Sequence, residues 1–219
     1  MPNSHKLDYI FIDFDETLFE HYAFAAWIED LLHEKGELTM GKGSFMASIN
    51  AYHEVLQQVP LLRLYRHRDH YAYTTKSGWQ ALSAEIHKQA KTSKADFSYP
   101  DAKRFIDVVN GFGVTVKILT YGDQEYQLFK IASCTVSGVA HLETEVILEP
   151  KSSYIASTYA GTRGVLVDDK YPLSLPDGWV HIWLDREATL TAPKQLEHGV
   201  IKVANLDQAL KLIEGLAEK

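Results

Sequence analysis

The spacing of hydrophobic residues divides the chain into three parts. A short apolar run begins at Tyr9 and predicts a buried strand over residues 7–13. Between residues 20 and 98, apolar residues recur at intervals of three and four, which predicts helices and no convincing strand. After Pro100, short runs rich in valine and isoleucine alternate with helical segments. The pattern therefore predicts one strand, a helical insertion, and then repeated helix–strand units.

Alternating strands and helices are typical of a parallel sheet with helices on both faces. We therefore predict an α/β fold with a Rossmann-like parallel sheet core and an all-helical cap. The core domain is predicted at residues 1–19 and 99–219, and the cap domain at residues 20–98. An insertion of this size is too long for a loop, so we interpret it as a lid or cap over the core.

Polar side chains follow three of the predicted strands at the point where each strand ends. Asp13 and Asp15 follow the first strand, and Thr120 follows a β-branched run. Asp168 and Asp169 follow another such run. Because parallel strands place their carboxyl ends at one edge of the sheet, we expect these groups to converge there.

The spacing of the acidic pair after the first strand predicts that the two carboxylates lie close together. Asp13 and Asp15 are two residues apart, so extended backbone would direct both side chains to the same face. Neighbouring carboxylates repel, and ionising both in a partly buried site is costly. A divalent cation, or a division of roles between a nucleophile and an acid, would make the pair favourable. Taken alone, the pair could also be an acidic turn in solvent.

Lys151 lies in the segment between Thr120 and the second acidic pair. Four carboxylates, one hydroxyl at a predicted helix N-terminus and one ammonium together suit a phosphoryl group assisted by Mg²⁺. Carboxylates hold a hard cation. Thr120 and the amides after it can bind phosphate oxygens, and Lys151 can neutralise charge.

Four segments resemble the motifs of the haloacid dehalogenase-like (HAD) hydrolase superfamily, in its phosphatase branch with a helical cap inserted after the first strand. Residues 13–18 (DFDETL) resemble the first motif and residues 119–123 (LTYGD) resemble the second. Lys151 resembles the third motif, and residues 165–169 (VLVDD) resemble the fourth. They occur in the family's order, and the helical insertion lies where that branch places its cap.

The resemblance implies a role for each catalytic residue. Asp13 would attack phosphorus and carry an aspartyl-phosphate. Asp15 would protonate the leaving oxygen and then help to deprotonate the hydrolytic water. Thr120 would hold a phosphoryl oxygen, and Lys151 would steady the nucleophile and the intermediate.

The resemblance also implies a Mg²⁺ cofactor and a substrate-binding set. Mg²⁺ would be bound by Asp13, by the backbone carbonyl of Asp15 and by Asp168, with Asp169 acting directly or through water. The predicted substrate-binding residues are Thr17, Tyr121, Gly122, Tyr22, Arg63 and Arg66.

Two details of these assignments leave alternatives open. Lys130, one helix after Thr120, is a rival for the third motif, but lysine on an amphipathic helix is usually solvated. Lys151 is preferred because it follows Pro150 and precedes a short helix. Tyr121 occupies a position that is often a small polar residue, so its ring would narrow the pocket or touch substrate.

The predicted role of the two cap arginines has its own alternative. Arg63 and Arg66 would bind a second anionic group of the substrate if they faced the site. The segment that contains them, residues 63–70, is more typical of a charged helix face in solvent.

Composition restricts the class of protein further. The chain has 219 residues, of which 46% are hydrophobic, enough for a substantial core. A net charge of −7 argues against a nucleic-acid partner. Cys134 is the single cysteine, which excludes an intrachain disulfide and a thiolate zinc cluster within the chain. The sequence lacks an apolar run long enough for a membrane helix and an apolar signal core, so we expect a cytoplasmic protein without a membrane partner.

We therefore predict a Mg²⁺-dependent phosphatase that hydrolyses a small phosphorylated metabolite through an aspartyl-phosphate. A phosphomutase of the same superfamily and a non-catalytic metal- or phosphate-binding relative remain alternatives. Dehalogenase chemistry is less favoured, because a halide leaving group does not need the acid that Asp15 provides. The motifs do not identify the substrate.

Overall fold

A computed structural model describes most of the chain as two compact units. The described residues are 6–58, 68–93, 95–136, 138–170 and 174–217. The first unit contains residues 1–19, 98–121 and 136–219, and the second contains residues 20–97 and 122–135. Residues 122–135 thus join the helical insertion in the second unit, although the sequence pattern placed them in the core. That the core and the cap are separate domains stays a prediction.

A seven-stranded sheet in the order β3-β2-β1-β4-β5-β7-β6 runs through the described part of the first unit. Every neighbouring pair is parallel except β6 and β7, which are antiparallel. The predicted α/β fold with a parallel sheet is therefore confirmed. The strands are β1 (Tyr9–Ile12), β2 (Thr115–Tyr121), β3 (Glu143–Ile147), β4 (Gly164–Asp168), β5 (Trp179–Leu184), β6 (Lys194–Gln195) and β7 (Val200–Val203).

Eight α-helices occur in the described residues, and five of them belong to the second unit. None of the described helices has the length and apolar character needed to cross a membrane. The second unit contains α1 (His21–Glu34), α2 (Ser44–Gln58), α3 (Asp69–Thr74), α4 (Gly78–Thr92) and α6 (Gln124–Ser133). The first unit contains α5 (Ala102–Val109), α7 (Lys151–Thr158) and α8 (Leu206–Ala217).

The position of β1 decides where the acidic residues lie. Ile12, the last residue of β1, is paired with Ile118 of β2 on one side and with Val167 of β4 on the other. All three strands run in the same direction, so the segments that follow them leave from one edge of the sheet. The residues that follow Ile12 are therefore flanked by the ends of β2 and β4.

One face of the sheet is covered by α7 through an aromatic and aliphatic cluster. Ile155 of α7 and Tyr159, just after it, pack with Phe11, Leu119 and Leu166 of three adjacent strands. The Phe11 and Tyr159 rings meet edge to face with centroids 4.9 Å apart. This packing fixes α7 against the sheet, and α7 begins with Lys151.

Gly164 at the start of β4 leaves room for the ring of Trp179 on the neighbouring strand. A Cβ atom at residue 164 would lie 2.5 Å from the Trp179 ring, closer than real Cβ contacts. We expect Gly164→Ala to lower the free energy of unfolding by about 1–3 kcal/mol, because the ring must shift within a packed core. Urea denaturation of purified protein measures this change.

Gly215→Ala is the matched control for this prediction. Gly215 lies in α8, is exposed, and has no atom within 4 Å of a built Cβ. Alanine there should leave stability unchanged or raise it by up to about 1 kcal/mol. Equal stability of the two variants would contradict the packing argument.

Candidate active site

Asp13 directly follows β1 and lies almost completely buried. Its backbone N–H donates to the Val167 carbonyl at 2.9 Å, so the chain stays paired with β4 beyond the last residue of β1. Only 5% of Asp13 is exposed. Its Oδ1 accepts from the Phe14 N–H at 2.7 Å and contacts Lys151 Nζ at 2.7 Å. The other carboxylate oxygen of Asp13, Oδ2, takes part in neither of these two contacts.

Lys151 connects the end of β1 with the end of β4. It begins α7 directly after Pro150, and its side chain is 7% exposed. Nζ lies 2.7 Å from Asp13 Oδ1 and 2.5 Å from Asp168 Oδ2. A buried ammonium is costly unless carboxylates pair with it, and these two contacts provide the compensation.

The second acidic pair has two different environments. Asp168, the last residue of β4, is completely buried, and its Oδ1 accepts from the Lys170 N–H at 2.7 Å. Asp169 Oδ2 pairs with Lys170 Nζ at 2.7 Å, and that lysine side chain is 73% exposed. Asp169 Oδ1 is buried and has no hydrogen-bond partner among the residues the structure describes. An unpartnered buried carboxylate oxygen is unfavourable and suits a cation ligand.

Three carboxylates form a group that fits a divalent cation. One ligand oxygen from each of Asp13, Asp168 and Asp169 lies within 4.8 Å of the others. All three donors are carboxylate oxygens, which hard cations prefer. The donor set and the unpartnered Asp169 oxygen both agree with the predicted Mg²⁺ site.

The electrostatics of the protein alone favour a cation in this group. Burial raises the pKa of Asp13 well above its usual range, and the charges of Asp168 and Asp169 add to this effect while Lys151 opposes it. Burial likewise raises the pKa of Asp169, against the opposing effect of Lys170. For Lys151, burial disfavours the charge, but the two carboxylates outweigh it and hold its pKa above the usual range. Ionising all three carboxylates is therefore costly in the protein alone, and a bound cation would offset that cost.

Solved structures show which known fold this arrangement belongs to. No protein-family model and no curated protein matches the sequence. A Burkholderia xenovorans protein described as a haloacid dehalogenase-like hydrolase is 16% identical, with 96% of this chain and 98% of that chain covered and a TM-score of 0.57. YfnB of Bacillus subtilis, described as a HAD-hydrolase bound to magnesium, is 12% identical, with 96% and 99% covered and a TM-score of 0.59. The L-2-haloacid dehalogenase of Xanthobacter autotrophicus is 15% identical, with 96% and 100% covered and a TM-score of 0.59.

The chain has the HAD-like fold. The similarity extends over nearly the whole of each chain, and it is a similarity of fold at low sequence identity. Because one fold supports several reactions, the reaction must be argued from the site residues.

The HAD-like fold brings four of the predicted site residues into one group. Asp13 and Lys151 are in direct contact, Lys151 also contacts Asp168, and Asp169 lies close enough to share a cation with the two other carboxylates. Thr120 lies two residues beyond Ile118 on the strand beside β1 and is buried.

The other predicted residues near the ends of β1 and β2 occupy varied positions. Asp15 and Tyr121 are half-buried in the first unit. Thr17 is completely buried, and its Oγ1 has no partner among the described residues. Gly122 belongs to the second unit and has a φ of +144°, with Gln127 Nε2 3.0 Å from a built Cβ. These four residues keep their predicted roles as predictions.

The substrate-binding residues predicted in the helical insertion are Tyr22, Arg63 and Arg66. Tyr22 is in α1 of the second unit and is 42% exposed. Arg63 and Arg66 lie outside the described residues. Their roles also stay predictions.

The expectation that Lys130 is solvated is wrong. Lys130 is completely buried in α6, with Nζ 5.2 Å from the centre of the Tyr126 ring. Amphipathic patterning missed this because α6 has other buried polar residues, including Gln127. Burial therefore does not distinguish Lys130 from Lys151, whereas the contacts with Asp13 and Asp168 belong to Lys151.

Arg186 is the residue near this edge that sequence reasoning missed. It follows β5 by two residues and donates to the carbonyls of Glu16 and Thr17 in the turn after Asp15. The only sequence signal was a cation just beyond the carboxyl end of a strand, which is a weak indicator of a role at the site.

Proposed function

We propose that the chain is a Mg²⁺-dependent phosphatase that hydrolyses a small phosphorylated metabolite through an aspartyl-phosphate. The observation that carries this proposal is the buried Asp13 carboxylate, held at one oxygen by Lys151 at the end of the central strand. Its other oxygen is left for bond formation with phosphorus. Asp168 and Asp169 beside it complete a group that suits a cation.

The proposed metal site uses only residues of this chain. Asp13, Asp168 and Asp169 would hold Mg²⁺ through their carboxylates, and the Asp15 carbonyl is a further proposed ligand. Bound Mg²⁺ neutralises negative charge on the phosphoryl group and on the attacking carboxylate. The magnesium bound to the B. subtilis protein of the same fold supports this choice of ion.

In the first proposed step, Asp13 acts as nucleophile and Asp15 as acid. An Asp13 Oδ lone pair forms a bond to phosphorus while the bond from phosphorus to the ester oxygen breaks. The bonding pair stays on the leaving oxygen, which takes the proton of Asp15 and departs as an alcohol. The Lys151 ammonium already contacts the Asp13 carboxylate. Its positive charge offsets the negative charge that moves from this carboxylate towards the phosphoryl group.

In the second proposed step, the roles of the same residues reverse. The Asp15 carboxylate removes a proton from water as the water oxygen attacks phosphorus. The bond from phosphorus to Asp13 breaks, and its electron pair returns to the carboxylate. Inorganic phosphate leaves, and both aspartates regain their starting protonation states.

Haloacid dehalogenase activity is the second candidate, because the matching solved structures favour it. The X. autotrophicus dehalogenase is described with chloropropionic acid covalently bound, so this fold supports displacement of halide. A halide leaves as an anion and needs neither a proton nor a cation beside the nucleophile. The unpartnered Asp169 oxygen and the group of three carboxylates would then have no chemical role. They therefore favour the phosphatase.

Hydrolysis of p-nitrophenyl phosphate by the purified chain tests the proposal. We expect turnover with Mg²⁺ and a loss of at least about 100-fold after EDTA treatment. Inorganic phosphate should appear in step with p-nitrophenol, whereas a phosphomutase would return the phosphoryl group to a sugar acceptor. Chloride release from L-2-chloropropionate without Mg²⁺, together with no phosphate-ester turnover, would establish the dehalogenase instead.

A further inference from the structure

The turn between Asp15 and Phe19 has an unfavourable backbone conformation. Glu16 has a φ of +55°, in the left-handed region that residues with a side chain rarely adopt. Such a conformation costs on the order of 1–2 kcal/mol and persists only where surrounding contacts hold it. Within the turn, the Glu16 N–H donates to the Phe19 carbonyl at 2.8 Å, and the Leu18 N–H donates to the Phe14 carbonyl at 2.9 Å.

Arg186 holds this turn from outside. Its Nη2 donates to the Thr17 carbonyl at 2.6 Å, and its Nε donates to the Glu16 carbonyl at 3.3 Å. Two carbonyls on consecutive residues are thus bound by one planar guanidinium. A rigid guanidinium fixes the direction of both peptide groups, which one flexible ammonium does not.

Arg186 is itself fixed by two residues that precede α5. Asp101 accepts from Nη1 and Nη2, each at 3.2 Å, and the Tyr99 ring lies 3.5 Å from the guanidinium carbon. The Tyr99 hydroxyl also donates to the Glu16 carboxylate at 2.7 Å. The side chain of Arg186 is 19% exposed and that of Asp101 is 16% exposed, so both are largely shielded from solvent. All of these residues lie in the first unit.

We propose that Arg186 is a positioning residue that holds the turn next to Asp15 in the conformation needed for acid catalysis. The inference rests on the proposed function for the role of Asp15. It goes beyond that function because it assigns a residue that the motifs do not include. Asp15 is the residue directly before strained Glu16, so a change of the Glu16 backbone moves Asp15 first, while Asp13 stays tied to β4 through Val167.

Two aryl phosphates separate loss of acid catalysis from a general structural defect. p-Nitrophenol has a pKa of about 7 and phenol of about 10, so phenyl phosphate depends far more on proton donation to the leaving oxygen. In Arg186→Met, we expect kcat/KM, which reports the step in which the leaving group departs, to fall roughly 100-fold for phenyl phosphate and less than about 5-fold for p-nitrophenyl phosphate. Arg186→Lys keeps the charge but not the paired donors. Its kcat/KM for phenyl phosphate should therefore lie between those of the wild type and Arg186→Met.

Lys202→Met is the matched control for both substrates. Lys202 Nζ lies 2.6 Å from Asp185 and 4.3 Å from the centre of the Trp183 ring, so it combines a carboxylate and an aromatic ring as Arg186 does. Lys202 is not part of the catalytic group, so its removal should change kcat/KM for both substrates equally and only slightly. Equal losses of kcat/KM for the two substrates in Arg186→Met, or no loss, would overturn the proposal.

Hydrogen exchange tests the turn without relying on activity. The amides of Glu16, Leu18 and Phe19 are hydrogen-bonded within the turn. We expect them to exchange at least about 10-fold faster in Arg186→Lys than in the wild type, and unchanged in Lys202→Met. An inactive wild type would defeat the proposed function, yet faster exchange in this turn would still establish that Arg186 holds it. Unchanged exchange would overturn the inference even in an active enzyme.

Discussion

Asp13→Asn should abolish hydrolysis of phosphate esters, with kcat reduced by at least about 10⁴-fold. The substitution keeps the shape of the side chain but replaces the nucleophilic carboxylate with an amide that does not form the covalent intermediate. Because burial is the main cause of the raised pKa of Asp13, the charged form is disfavoured in the fold. We therefore expect Asp13→Asn to unfold at the same temperature as the wild type or higher.

The assay for this prediction compares two aspartates at opposite ends of β1. Asp8 precedes the strand, and its Oδ2 accepts from the Arg163 N–H at 2.8 Å. Asp8→Asn should keep turnover of p-nitrophenyl phosphate within about 2-fold of the wild type, because Asp8 is far from the carboxyl edge. Turnover that survives in Asp13→Asn would remove the nucleophile assignment.

Lys151→Met should lower both stability and activity. It leaves Asp13 and Asp168 buried without the ammonium that contacts both, and breaking such a pair costs about 3–5 kcal/mol. The remaining carboxylates will have pKa values raised further above those of the unfolded chain. The folded state then binds more protons than the unfolded state between these pKa values, so the stability of the variant falls as pH rises. We expect the difference in unfolding temperature from the wild type to be larger at pH 8 than at pH 5.

Lys130→Met is the control, because it removes the other buried lysine considered for the third motif. It can also lower stability, but folded protein should retain phosphate-ester turnover, whereas folded Lys151→Met should lose at least about 100-fold. Thermal unfolding and turnover of p-nitrophenyl phosphate measure the two effects separately. The reverse result would assign the motif to Lys130.

The strands that build the site were predictable because they are buried on both faces. β1 is an apolar run followed by Asp13, and the apolar run of β4 ends in Asp168. The carboxyl ends of parallel strands meet at one edge. The contact between Lys151 and Asp168 follows from that topology, since α7 begins beside the same edge. Local pattern and overall fold agree here, and this agreement is the condition for reading a site from sequence.

Other features depend on contacts that no local pattern contains. Arg186 and Thr17 are 169 residues apart in sequence, and neither belongs to a motif that predicts their hydrogen bond. β6 has two exposed residues, Lys194 and Gln195, so it carries no alternation of polar and apolar positions that would predict a strand. The burial of Lys130 depends on packing within the second unit, which overrides the usual solvation of lysine.

The topology has a consequence for the order in which the chain can assemble during its synthesis. Both sheet partners of β1 come late, because Thr115 of β2 is the first residue to pair with the strand and β4 follows after that. At translation rates of about 5–20 residues per second, the chain between Ile12 and Thr115 takes roughly 5–20 s to appear. During that time the apolar segment of β1 has left the ribosome without a strand to pair with. The segment that delivers the nucleophile thus stays unpaired, and open to aggregation, until β2 has been synthesised.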